Sequence, residues 1–395
     1  MTDGPLTGIS VLDLCGYLAG PYGCTLLGDL GADVIKVEPL TGDHMRHALT
    51  PFAGCQRGKR SIALDLKNPE GLRLAHRLIP TADVVHHNMT RGVATRLGID
   101  YPACRALRDD IIYCNTYAYG LPDPLGASGG LDPLYQASSG LEYEAGATHA
   151  GNPPLYIRFG MCDTANAMLS VVGILLALVH RARTGEGQEL WTSLHDGGVF
   201  FSSDVWLGPD GEPWDRPHLD KGQHGLGPGY RLYRTQDEGW ICVAAVTDAQ
   251  WDALCSVTGA GRLDRRGERA AVEDALQVQF LTRTELAWHR ALDAAGVPNE
   301  IPIESLDGQA FLHDGDNERL GLVAAYEHPL YGTLRQFGRL FDFPATPGPD
   351  LSPPPLVGQH TREVLNELGL RDPDVDALIS SRVVYEPDDQ YHWPN

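Results

Sequence analysis

Positive charge is scarce in this chain. Across 395 residues, 31 Lys and Arg face 52 Asp and Glu, a formal net charge of −21. So acidic a surface repels phosphate backbones and anionic lipid, which argues against non-specific nucleic-acid binding and against docking on a membrane. The eight cysteines include no CxxC pair. That removes the usual framework of a structural zinc site and fits a reduced, cytoplasmic protein. The opening "MTDGPLTGISVLDL" has no basic segment ahead of an apolar one, so no secretory signal is expected. The most apolar stretch, Ala165–Val179, is interrupted by Asn166, Ser170 and Gly173. It reads as too short to span a bilayer and as a buried core helix instead. GxGxxG is missing from the first strand–helix turn, so the usual dinucleotide fingerprint does not apply.

What is present is a globular composition, 43% hydrophobic and 21% charged, in a chain long enough for two domains. Its first half alternates β-rich and helical runs. Gly8–Leu14 reads as a strand, Ala19–Ala32 as a helix with Pro21 in its first turn, and Asp33–Pro39 as a second strand stopped by proline. Ser61–Leu66, Asp83–Asn88, Ile111–Gly120 and Gln188–Asp196 read as further strands, with a helix over Asn68–Ala82. This alternation predicts an α/β fold with a Rossmann-like, doubly wound sheet. The expected divisions are 1–205 for the N-terminal part of a large domain and 206–229 for a linker that ends in the glycine-rich Lys221–Gly229. A smaller α+β domain over 230–320 and a C-terminal segment over 321–395 complete the chain.

Several motifs have a bland and a chemical reading. "GASGG" (Gly126–Gly130) matches GxSxG but lacks the strand that a nucleophile elbow needs, so it reads as loop. "SLHDG" (Ser193–Gly197) sets Ser, His and Asp side by side, whereas a triad is assembled in space. His86 and His87 have no third ligand at metal spacing. "RGKRSIALD" (Arg57–Asp65) is the one dense basic cluster. It is either a solvated turn or, with Lys67, Arg91 and Arg96, a rim for a phosphorylated ligand. Asp163 heads the apolar run in "FGMCDTANAML". It suits a helix N-cap, and a carboxylate kept ionised by the helix dipole also suits a nucleophile.

Five phrases taken together add a family resemblance. They are "GPYGCTLLGDLGADVIKVEPLTGDHMR", "RGKRSIALDLKNPEG", "ADVVHHNMTRGVATRLGIDY", "RTGEGQELWTSLHDG" and "PLVGQHTREVLNELG". In order and spacing they resemble the CaiB/BaiF family, the class III CoA-transferases, from Leu6 to Leu370. The resemblance implies a large Rossmann-like domain completed by the C-terminal segment, a small domain, long linkers, and two such rings interlocked in a homodimer. It implies CoA transfer between carboxylic acids, with acyl-CoA as substrate and no metal or redox cofactor. Asp163 matches the nucleophile, which would pass through a mixed anhydride and an aspartyl-CoA thioester. Ala19, Lys67, Asn88 and Arg96 match positions that contact CoA, and Lys221–Gly229 resembles the active-site loop.

Some positions depart from the family pattern. Pro39 stands where some members carry Arg, Leu18 where some carry Gln, and Met89 where an aromatic is common. Cys162 and Ala167 replace glycines on either side of the nucleophile, which is expected to crowd the site, and Leu18, Cys162 and Met89 point to an acyl pocket less polar than one built for a very small dicarboxylate. Two family alternatives remain. One is an acyl-CoA racemase, disfavoured because Leu131 occupies the position of its proton-carrying His. The other is a CoA-binding, non-catalytic subunit of a heteromeric transferase.

Overall fold

The structure, a computed structural model, describes residues 3–120, 129–303, 309–388 and 390–391. The chain divides into two compact units. The first comprises 1–139, 159–202 and 311–395, and the second 140–158 and 203–310. The sequence-based divisions are therefore corrected. Residues 140–158 and 203–205 leave the large domain, the segment 206–229 belongs to the second unit instead of forming a separate linker, and that unit ends at 310.

The first unit is built on a parallel sheet. Its strands are β1 (Ser10–Asp13), β2 (Asp33–Glu38), β3 (Arg60–Leu64), β4 (Val84–His87), β5 (Ile112–Tyr117) and β6 (Glu189–Ser193), in the spatial order β3-β2-β1-β4-β5-β6. A short strand, Val384–Tyr385, adds antiparallel to the outer edge of β3. β1 pairs with both β2 and β4, so the order reverses there and a crevice opens past the carboxyl ends of those strands. Alternate side chains feed two cores. Leu12, Ile35, Ile62 and Val85 pack with Leu74, Leu78 and Val364 on one face. Val11, Val34, Val84 and Ile112 pack with Leu26, Val171 and Ile174 on the other.

Local signals explain the helices that fill these faces. Asn68 caps the helix Pro69–Leu78 by accepting from the Glu70 N–H at 2.9 Å, with Pro69 in the first turn. The long helix Met161–Thr184 ends at Gly185, whose φ of 78° is a left-handed stop. This helix overruns the apolar stretch read from sequence at both ends. Its 24 residues are long and apolar enough to cross a membrane by length and composition, which corrects the expectation that the run was too short. Here Val171, Ile174 and Ala177 on one face enter the core, while Val172, Leu176 and Val179 are exposed.

The second unit has a four-stranded antiparallel sheet ordered Asn299–Glu300, Trp240–Ala244, Tyr230–Arg234, Gly225–Gly227. The helices Asp248–Thr258, Arg269–Phe280 and Glu285–Ala294 close a core of Tyr233, Ile241, Leu276, Phe280 and Trp288. Part of the glycine-rich Lys221–Gly229 is thus an edge strand of this sheet.

Candidate active site

Three side chains lock the loops at the reversal of strand order. Lys36, fully buried on β2, donates to Cys15 O and to Asp43 Oδ2, both at 2.9 Å. Burial opposes its charge, but Asp43, Asp13 and Glu38 hold the ammonium above its ordinary range. Asp43 Oδ1 accepts from the Tyr17 N–H at 3.3 Å and the Met45 N–H at 2.9 Å. After β4, Asn88 clamps one residue of the β1 loop from both sides: Oδ1 accepts from Gly16 N at 2.8 Å, and Nδ2 donates to Gly16 O at 2.6 Å. Tyr17 is consequently held at φ 63°, a conformation costly for a residue with a side chain.

Two adjoining cavities lie along these loops. One, of about 480 Å³, is lined by Ala19, Asn88, Arg91, Tyr117, Asp132 and Asp163 among others. The other, of about 840 Å³, includes Pro39, Asp65, Lys67, Val93 and Leu97. Tyr17, Asn88, Met89 and Thr90 line both. Ala19 is the first residue of helix α1 (Ala19–Asp29), which no side chain caps. The positive end of α1 thereby faces the cavity, a setting that favours an anionic or developing negative charge.

Asp163 is the third residue of the long helix, not its cap; Gly160 holds that position. Its own N–H donates to Asp132 Oδ1 at 2.8 Å. Asp132 begins the short helix Asp132–Ser138 and is held through its other oxygen by the Gln136 side-chain amide, which also donates to Phe159 O at 2.7 Å. Burial, and then the adjacent charge of Asp132, raise the Asp163 carboxyl from 3.8 to about 7. The dipole was expected to keep this group firmly ionised, but desolvation and a like charge outweigh it. The result is a carboxylate more basic than usual, close to ionisation at neutral pH.

Of the residues matched to CoA contacts, Ala19 and Asn88 share the first cavity with Asp163, and Asn88 and Lys67 line the second. Arg96 is exposed and lines neither, although Val93 and Leu97 on its helix line the second. Asp132 escaped the sequence reading. Its local signal is the helix start in "LDPLY", with Pro133 in the first turn. The basic cluster is no phosphate rim. Arg57 is paired with Asp29 at 2.5 Å, Lys59 with Asp13 at 2.8 Å, and Arg60 with Asp33, Glu363 and Glu367. Cys162 and Ala167 do not crowd the cavity either. Both are buried and neither lines it. Cys162 packs toward Gly197 and Gly198, and the Ala167 carbonyl toward Gly23. Leu18 is likewise not among the lining residues.

Other motifs resolve simply. Ser193 is a helix cap, its Oγ accepting from Asp196 N at 3.0 Å, and the Ser of "GASGG" lies outside the described residues. His86 does have potential metal ligands beside it: its ring and the thiols of Cys15 and Cys24 lie within 4.8 Å of one another, all buried. Its two nitrogens are engaged, Nδ1 at 3.2 Å from Cys24 Sγ and Nε2 at 2.8 Å from Thr116 Oγ1.

Residues 6–361 match the family described as CoA-transferase family III. The chain is 32% identical to a succinate–glutarate CoA-transferase of Agrobacterium fabrum, over 92% of this chain and 96% of that one. It is 31% identical to an acyl-CoA transferase of Fusarium pseudograminearum, over 95% and 87%. Among solved structures, a CAIB/BAIF family protein from Brucella suis superposes with a TM-score of 0.75 at 27% identity, covering 93% of this chain and all of the other.

Proposed function

Because this chain belongs to CoA-transferase family III, we propose that it moves CoA from an acyl-CoA to a carboxylic acid through covalent intermediates on Asp163. The observation that carries this reading is the position of Asp163: a half-buried, unusually basic carboxylate on the wall of a cavity beside a second, larger one. The larger cavity, with Lys67, suits the nucleotide part of CoA, and the smaller suits the reacting acyl group.

In the first step an Asp163 oxygen attacks the thioester carbonyl, the C–S bond breaks, and CoA leaves as thiolate. The product is a mixed anhydride. The thiolate attacks the Asp163 carbonyl of that anhydride, releasing the first acid and leaving an aspartyl-CoA thioester. The acceptor carboxylate then attacks that thioester, and CoA thiolate leaves again. Attack of the thiolate on the acceptor's carbonyl yields the new acyl-CoA and restores Asp163. Each tetrahedral centre carries an oxyanion, for which the uncapped first turn of α1, whose Ala19 lines the same cavity, offers backbone N–H groups and positive dipole. Asp132 acts as a positioning residue by fixing the backbone of Asp163. Leu131, on the same wall, carries no proton, which supports transfer over racemisation.

The same reading makes the chain a cytoplasmic, interlocked homodimer. The exposed stripe Val172, Leu176 and Val179 supports a partner face. Light scattering at low concentration tests it: a monomer contradicts it. The chemistry is tested by mixing the protein with a panel of acyl-CoAs, quenching with hydroxylamine or borohydride, and locating the modification by mass spectrometry. Modification of Asp163, lost in Asp163→Ala, is the expected result. CoA binding without any modification contradicts it and favours a non-catalytic subunit.

A further inference from the structure

The CoA-transfer reading leaves one cavity residue without a task. Arg91 follows β4 and lines the cavity that holds Asp163. It is the only Lys, Arg or His among the described residues of that lining; Met45, Met89, Leu131, Leu134 and Leu194 supply apolar wall. The guanidinium carbon lies 4.0 Å from the centre of the Tyr117 ring, and Nη2 makes one long contact to Gly120 O at 3.4 Å. Stacking on an aromatic face fixes the plane of the fork and leaves its edge available for a planar anion. Among the described residues no carboxylate lies within 4.0 Å of it.

A cation against apolar walls is costly unless an anion meets it. Among the described residues, the acids that line the cavity, Asp132 and Asp163, are beyond ion-pair reach, which leaves the substrate as the source of the anion. It is not the carboxyl under attack, because that group has to touch Asp163. We infer that Arg91 binds the distal carboxylate of a dicarboxylic substrate, gripping one end of the acyl chain while Asp163 meets the other. This inference rests on the CoA-transfer reading, and it runs against the expectation of an acyl pocket less polar than one built for a very small dicarboxylate.

Succinyl-CoA and butyryl-CoA carry acyl chains of equal length and differ in a carboxylate against a methyl. Their rates of Asp163 acylation are measured with the full chain, Arg91→Met and Arg91→Lys. Wild type is expected to prefer succinyl-CoA. Arg91→Met should lower the succinyl-to-butyryl ratio roughly 10- to 100-fold, the effect of losing a charge-assisted hydrogen-bonded pair. Arg91→Lys should fall between, since it keeps the charge but not the fork. A ratio that survives Arg91→Met overturns the inference. So does an equal loss on both donors, which would place Arg91 on the CoA common to them.

Thermal shift with glutarate against valerate reads the same pairing without chemistry. Wild type should be stabilised by glutarate alone, and Arg91→Met by neither. If glutarate binds through Arg91 but neither donor acylates Asp163, the transferase reading falls and this assignment stands. If both donors acylate Asp163 equally well, the reverse holds.

Discussion

The nucleophilic role proposed for Asp163 requires an ionised carboxylate, and burial together with Asp132 pushes this carboxyl up to about 7. Its acylation rate should therefore fall as pH drops below that point. Asp132 is the second cause of the shift after burial. Asp132→Asn should move the acid limb of the pH–rate profile downward, but not as far as 3.8, because burial remains. A limb that does not move under Asp132→Asn would remove Asp132 from this role. Stability carries the same signature with its own sign. The folded carboxyl sits above its unfolded value of 3.8, so the folded state binds the proton more tightly, and stability is lost as pH rises from 3.8 to about 7. Asp163→Asn should accordingly raise the melting temperature above about pH 7, with a gain that fades toward about pH 4. Differential scanning fluorimetry across that range checks it.

Close approach governs the elements around the site. A Cβ at Gly197 would lie 2.5 Å from the carbonyl oxygen of Cys162, the residue before Asp163, and 3.1 Å from Asn166 N. These are backbone atoms that cannot swing aside. Gly197→Ala should cost about 1–3 kcal/mol by overpacking and depress acylation further by displacing the first turn of the long helix. Gly54, where a Cβ would meet nothing within 4 Å, is the control. The two changes are compared by urea denaturation. The Lys59–Asp13 pair, which joins the residue before β3 to the end of β1, sets a second element-scale requirement, since both side chains are fully buried. Lys59→Met should cost about 3–5 kcal/mol by leaving Asp13 an unpaired buried charge, and Asp13→Leu with Lys59→Met should recover part of the loss. A single change as mild as the double would show that Asp13 is not charged in the fold.

These contacts also mark what could be read from the sequence alone. The strands and helices of the first half follow from β-branched runs, Pro21 and the Asn68 cap, which are local signals. The fate of "RGKRSIALD" does not, because its partners Asp29, Asp13 and Glu363 are distant in the chain and only folding brings them to Arg57, Lys59 and Arg60. The same holds for Asp132, which reaches Asp163 from 31 residues away, and for the glycines that absorb Cys162 and Ala167.

For the whole molecule, an alternating pattern indicates an α/β sheet but not its order. The reversal at β1, which creates the crevice, depends on β4 pairing with β1 instead of β3. Family resemblance singles out Asp163 in the sequence, but its place on a cavity wall and the burial that shifts its titration come only from the assembled fold. The net charge of −21 adds a molecular-scale constraint: anionic substrates approach against repulsion, so local cations such as Lys67 and Arg91 matter more here than in a neutral protein.

Covalent passage through Asp163 has a direct isotopic test. An acceptor acid carrying heavy oxygen in its carboxylate attacks the aspartyl thioester through one labelled oxygen. When CoA thiolate then takes the acyl group, that oxygen stays behind. After a single turnover, the peptide containing Asp163 is expected to hold one heavy oxygen by mass spectrometry. Turnover that forms the new acyl-CoA while leaving Asp163 unlabelled would mean that the acceptor attacks the donor directly, and would contradict the account.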